Sequence, residues 1–326
     1  MVGECVGKEK FHTDAVEMMN TLVSLQALED MKKYLLKAWV RIARCMGKDF
    51  IPYLQPVMVQ IFVAIEQNIS QGTGDIDLDE LDDLEKRSDI DIIEDADGMW
   101  IAVRTAAVEE QASACELLYL IVEKMQEDYF PYVEQTVKAM IPLLKSPQED
   151  IRSHTVVVMP ELIKCVAISC SKRLIDHQSL VQINSFVLGN LIEFVQTENI
   201  IELVMTGLQG IRQMILFAST KWDIVNPEIN KKSSKKLDKA ILTPDKSNPL
   251  LTVEQMNAIS DCLQIVLRDS IQRRAILRAE TQVNGDRDED DIDDEKELLT
   301  TSLELCYNIG ELMGALLRTP SYEYTK

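Results

Sequence analysis

Phe50-Ile51-Pro52-Tyr53-Leu54-Gln55 returns further along the chain as Tyr129-Phe130-Pro131-Tyr132-Val133-Glu134, with the two prolines 79 residues apart. Each copy follows an amphipathic stretch. From Tyr34 to Gly47 apolar side chains recur at Leu35, Leu36, Trp39, Ile42, Ala43 and Met46, the spacing of one buried helical face. After a turn at Gly47-Lys48-Asp49, the segment Pro52 to Ile65 repeats that spacing, so two helices double back as a hairpin. Around the second copy, Glu109 to Lys124 predicts a first helix and Pro131 to Leu144 its partner. Each proline is expected to open its helix, where a missing N–H costs nothing.

Between the copies runs Asp75 to Asp97, with twelve carboxylates against Lys86 and Arg87. Setting aside roughly 38 residues for that insertion and its flanks leaves a period of about 40, the length of a HEAT or armadillo hairpin. A third hairpin fits Ile151 to Val166 with Ser179 to Gln196, and a fourth fits Ile200 to Phe217 with Thr252 to Arg278. The last helix is expected to be long, because neither Gly nor Pro interrupts Thr252 to Val283. Glu297 to Leu317 begins a fifth hairpin, and Phe11 to Leu28 reads as the second helix of a hairpin whose first is absent. The expected architecture is therefore all-α: a HEAT-repeat α-solenoid of about five stacked antiparallel hairpins, truncated at both ends and continuous over residues 1–326. Three segments stand outside the repeats: an acidic insertion loop at 72–100, a Lys-rich polar loop at 226–249 and an acidic loop at 285–296. Terminal helices of such a piece are expected to expose apolar faces.

Composition agrees with helix packing. Hydrophobic residues make up 46% of the chain and aromatics only 6%, with 12 Gly and 10 Pro in 326 residues, which disfavours a β-sandwich. The formal charge of −20 is concentrated: Asp75 to Asp97 carries −10 and Asp286 to Glu297 carries −7. Charge focused in two loops on a neutral scaffold points to a basic partner, the alternative being two solvated insertions. Seven cysteines, Cys5, Cys45, Cys115, Cys165, Cys170, Cys262 and Cys306, are odd in number and scattered, and read as buried free thiols of a reducing compartment. With no long uninterrupted apolar run and no signal-peptide pattern at the N-terminus, the reading is soluble and intracellular.

Signs of catalysis are missing. His12, His154 and His177 are isolated, and Cys165 and Cys170 do not have the spacing of a redox or zinc pair. Gly3 to Glu9 is one residue short of a phosphate loop and has no Ser or Thr after Lys8. Asp75, Asp77 and Asp79, and again Asp286, Asp288, Asp290 and Glu297, stand at calcium-loop positions, but Glu80 and Asp291 replace the required glycine. The expectation is a binding protein: no enzyme, no cofactor, no metal.

Several stretches carry a family likeness: Val6-Gly7-Lys8-Glu9-Lys10-Phe11, Ala38-Trp39-Val40-Arg41-Ile42, and Gly47-Lys48-Asp49-Phe50 with Tyr53-Leu54-Gln55-Pro56-Val57-Met58. Asp97-Gly98-Met99-Trp100, Glu109-Glu110-Gln111-Ala112-Ser113-Ala114-Cys115, Met140-Ile141-Pro142-Leu143-Leu144-Lys145 and Met159-Pro160-Glu161-Leu162 follow in order. Over about its first half the chain resembles the importin-5 type of nuclear import receptor, also called karyopherin beta-3, of the importin-beta superfamily. The later half shares the layout, except that the Lys-rich segment departs from it. The resemblance implies a receptor that binds import cargo with Lys-rich signals, contacts Phe-Gly nucleoporins, releases cargo to Ran-GTP and shuttles between cytoplasm and nucleus. It implies no direct contact with nucleic acid or membrane.

In a curved solenoid the second helices line the concave face. The polar residues expected there for cargo are Gln55, Gln60, Glu66, Glu134, Gln135, Gln182, Asn184, Asn190, Glu193, Glu254, Asn257 and Asp261. Arg268, Arg273, Arg274 and Arg278 are the candidates for an acidic patch on Ran, with pairing inside the helix as the alternative. Rival readings are a cytoplasmic HEAT scaffold without Ran dependence and a calcium-regulated protein.

Overall fold

The computed structural model describes residues 8–24, 32–67, 70–73, 90–94, 100–219, 251–283 and 289–318. The Lys-rich segment 226–249, and the acidic run from Asp75 to Asp89, lie outside the described residues. The chain divides into two compact units, residues 1–166 and 167–326.

In the first unit, α1 (Lys8–Ser24) packs on α2 (Lys32–Met46), and α2 leads through a 3-10 turn (Gly47–Tyr53) into α3 (Leu54–Glu66). After a small sheet come α4 (Thr105–Met125), a second 3-10 turn (Gln126–Tyr132), α5 (Val133–Met140), a third such turn (Ile141–Lys145) and α6 (Glu149–Ser171). The expected hairpins are there in layered form: α2 packs against α4, and α3 against α5. The two copies of the repeat correspond in detail. Gly47 and Gln126 both open a seven-residue 3-10 turn with positive φ, of 57° and 52°. Phe50 and Tyr129 are wholly buried, each beside an aromatic three residues on, Tyr53 and Tyr132. Pro52 and Pro131 sit inside these turns, two residues before the α-helix, rather than at its first position. The first-helix layer is tied by Lys37 to Glu109, Arg44 to Glu116 and Lys48 to Glu127, at 3.6, 2.7 and 2.9 Å. Such surface pairs contribute under about 1 kcal/mol each, so burial of Leu36, Trp39, Leu117, Leu118 and Ile121 dominates.

The acidic insertion is not all loop. Its ends form β1 (Ser70–Thr73), β2 (Ile90–Glu94) and β3 (Trp100–Arg104), an antiparallel sheet in the order β1-β3-β2. Isoleucines and valine among the carboxylates supply the β-branched residues a ladder favours, which the charge run obscures in sequence. Gln111 anchors the base of this excursion. Its buried side-chain amide donates to the carbonyls of Ile65 and Gln67, at 2.6 and 3.4 Å, where α3 ends.

In the second unit, α7 (His177–Thr197), α8 (Ile201–Ser219), α9 (Val253–Val283) and α10 (Glu289–Arg318) repeat the layering: α7 packs on α9, and α8 on α10. α9 runs 31 residues without a break, as expected. The acidic loop expected at 285–296 is helical from Glu289 onward, because carboxylates in a first turn favour the helix macrodipole rather than breaking the helix. Of the six described cysteines, all free, Cys115, Cys165 and Cys262 are buried, Cys45 and Cys170 half-buried and Cys306 exposed, so the expectation of buried thiols holds for three. One described helix, α6, has the length and hydropathy to cross a membrane, and 67% of that window is buried.

Candidate functional site

Between α3 and α5 opens a groove of about 450 Å³. Gln55, Val59, Val63 and Glu66 line it from one stripe of α3, and Tyr132 and Gln135 line it from the opposite side. Val59 and Val63 are 56% and 50% exposed, an apolar floor between an amide and a carboxylate. Glu66 is the last residue of α3, where a carboxylate opposes the helix macrodipole and is better placed to receive a cation than to stabilise the helix.

Gln182, Phe186 and Glu193 repeat this spacing on α7, again with an exposed apolar residue, Phe186, at the centre. Beside it, Glu254, Asn257 and Asp261 form an exposed stripe on α9. A capping box holds the start of α9. Thr252 Oγ1 accepts from Gln255 N at 3.2 Å and Gln255 Oε1 from Thr252 N at 2.9 Å. Gln255 Nε2 also donates to Ser185 Oγ of α7 at 2.8 Å, so the cap fixes the two helices together.

Not every expected residue joins these rows. Gln60 is half-buried and does not line the groove. Glu134 is exposed on α5 but accepts from Lys138 Nζ at 2.6 Å, and this hydrogen bond and charge hold its carboxyl below the ordinary range. Asn190 donates to the Phe186 carbonyl at 2.8 Å. Asn184 is 1% exposed, in the core register of α7 that Val57 occupies in α3, so it is no part of an accessible face. Arg273 reaches the Asn199 carbonyl at 3.4 Å, and Arg268 is exposed. At 100° per residue, Arg268, Arg273 and Arg274 point to different sides of α9, so they do not form one patch. Arg274 and Arg278 share a helical face by position; the Arg278 side chain lies outside the described residues.

The sequence reading missed the apolar floor. Val59 and Val63 stand outside the polar set expected on that face, and apolar residues surround α3 on all sides. That breadth was itself the signal, since a half-buried helix needs only one apolar stripe. Among the described residues no three His, Cys, Asp or Glu side chains gather as a metal site.

No protein-family model matches the chain. Importin subunit beta-3 of Saccharomyces cerevisiae is 30% identical over 173 residues, which is 51% of this chain and 16% of that protein. A probable importin-5 homolog of Dictyostelium discoideum is 29% identical over 168 residues, 50% of this chain and 14% of that protein. The crystal structure of Kap121p matches 98% of this chain with a TM-score of 0.71 at 21% identity, and covers 26% of its own length in doing so. Kap121p has also been crystallised bound to Nup53p, to Pho4p and to RanGTP. At that identity the structural likeness speaks to the fold, and the chain spans about a quarter of Kap121p. In sequence over half of its length the chain is similar to importins of the beta-3 and importin-5 type, and in fold over nearly all of it to Kap121p.

Proposed function

We propose that the chain is a HEAT-repeat segment of a nuclear import receptor, which binds cargo with lysine-rich signals along its second helices, contacts Phe-Gly nucleoporins and yields cargo to Ran-GTP. The observation that carries this reading is the row on α3 and α7, an amide, an exposed apolar residue and a carboxylate at equal spacing. A lysine fits it in both parts. The carboxylate and amide oxygens accept charge-assisted hydrogen bonds from the ammonium, and the apolar floor packs its methylene stem. The partners of Kap121p point the same way. On this reading the chain binds proteins without catalysing a reaction, needs no cofactor, and shuttles between cytoplasm and nucleus.

Calorimetry against Ran loaded with GDP or with a non-hydrolysable GTP analogue tests it. Preference for the GTP form is expected. Equal binding to both forms would instead favour a scaffold that ignores the nucleotide.

A further inference from the structure

α8 and α10 take no part in the second-helix row, and they pack along a seam of their own. Two polar rungs cross it at the same offset of 99 residues. Arg212 Nη2 donates to Glu311 Oε2 at 2.7 Å, and Gln209 Nε2 donates to Asn308 Oδ1 at 3.0 Å. One turn nearer the start of both helices, the same offset sets Met205 beside Glu304. There the seam opens into a groove of about 520 Å³, lined by Glu202 and Met205 from α8 and by Leu303, Glu304 and Tyr307 from α10. Among the described residues neither the Glu202 nor the Glu304 carboxylate has an ion-pair or hydrogen-bond partner. The first two rungs are filled and the third lacks a cation.

Charge and shape together decide what the groove admits. Leu303 and Tyr307 are 61% and 69% exposed and stand one turn apart on the same face of α10. A wholly apolar occupant would cover two carboxylates without pairing either, which costs free energy. An ammonium would answer the charge but is a compact, strongly hydrated point that gains little from an aromatic face. A guanidinium uses every part of the lining: its fork of donors serves a carboxylate on either side, its plane stacks on the Tyr307 ring, and its methylene stem packs on Met205 and Leu303. The contact of Arg212 with Glu311, two turns along the same seam, shows that a guanidinium and a carboxylate fit between these helices.

We propose that the groove between α8 and α10 docks an arginine side chain presented by an extended segment of a protein partner. Glu202 and Glu304 take the charge of the guanidinium, and Tyr307 takes its flat face. This surface is separate from the second-helix row, selects arginine where that row takes lysine, and does not depend on the import reading.

The test uses the full chain with methyl-labelled methionine, so that the Met205 methyl reports on the groove by NMR. It is titrated with Gly-Ser peptides that carry arginines, lysines or citrullines at the same positions; citrulline keeps the shape of arginine without its charge. The expected result is a saturable shift of the Met205 methyl with the arginine peptide and binding weaker by about fivefold or more with the lysine peptide. Citrulline should abolish the shift, and the Glu202→Gln, Glu304→Gln variant should weaken arginine binding at least about tenfold. Equal affinity for the lysine peptide, undiminished binding by the double variant, a Met205 methyl that does not move, or tighter seating of a Phe-Gly peptide in the groove would each overturn the proposal. The lysine and citrulline arms use the unaltered protein, so they stand even where the variant folds poorly. The Ran experiment turns on the nucleotide and not on this groove, so the two readings fail separately.

Discussion

At Gln126 the backbone stands at φ 52° and ψ −120°, a region that a side chain's Cβ disfavours and glycine does not. The preceding hairpin places Gly47 at the equivalent position. Gln126→Gly is expected to stabilise the first unit by about 1 kcal/mol, read as a raised urea midpoint; a lowered midpoint would mean that side-chain contacts outweigh the strain. Asn184 is a second residue at odds with its surroundings. Neither side-chain polar atom of this buried amide has a hydrogen-bond partner, and its register is that of Val57. Such an amide costs about 1–3 kcal/mol, so Asn184→Val is expected to raise the stability of the second unit, measured by the same titration. Sequence reading placed Asn184 on the binding face because the rule that polar means exposed has no way to register a core position filled against type.

Among the elements, α7 and α8 approach closely at Gly207, where a Cβ would stand 2.5 Å from Val195 Cγ2. Alanine there gains about 1 kcal/mol in helix propensity but overpacks the contact by about 1–3 kcal/mol, so Gly207→Ala is expected to destabilise. Adding Val195→Ala should recover the loss, and failure to recover would point to a cause other than this contact. The helices themselves were legible from their apolar spacing and from the absence of Gly and Pro, α9 above all. Their ends were less so. α6 stops in a Schellman turn in which Arg173, at φ 59°, takes the place usually given to glycine, and Leu174 N donates to the Ser169 carbonyl at 3.0 Å. No glycine marks that end in the sequence. The start of α10 was hidden for the opposite reason: its acidic first turns look like a solvated loop unless the macrodipole is weighed.

For the molecule as a whole, alkali should be the vulnerable side. Burial pushes the Cys115 thiol from 9.0 to about 12, against a hydrogen bond to Thr155, and burial alone pushes Cys262 to about 12 as well. A proton held more tightly in the folded state gives stability that is complete below the unfolded pKa and is lost as pH rises through the folded one. Urea midpoints should therefore hold below about pH 9 and fall between about pH 9 and 12. The Cys115 share is about 2 kcal/mol by pH 10.5, and Cys115→Val should flatten that slope in the first unit. Binding is also a property of this scale. Glu66→Lys with Glu193→Lys is expected to weaken a lysine-rich peptide about tenfold or more at low salt, and less at high salt; a salt-independent effect would argue against direct pairing.

What the sequence by itself determined is the repeat: two matching Pro-Tyr turns, an apolar face every three or four residues, and an acidic interruption that explains the 79-residue gap. These are local patterns, because helix formation and turn chemistry depend on neighbours along the chain. Tertiary structure alone decided which polar residues are accessible, that Val59 and Val63 floor a groove with Gln55 and Glu66, and that the ends of an acidic run pair as a sheet. Those outcomes depend on contacts between segments apart in sequence, such as the pairing of Ile90 with Arg104 and the packing of α3 against α5, which no local periodicity encodes.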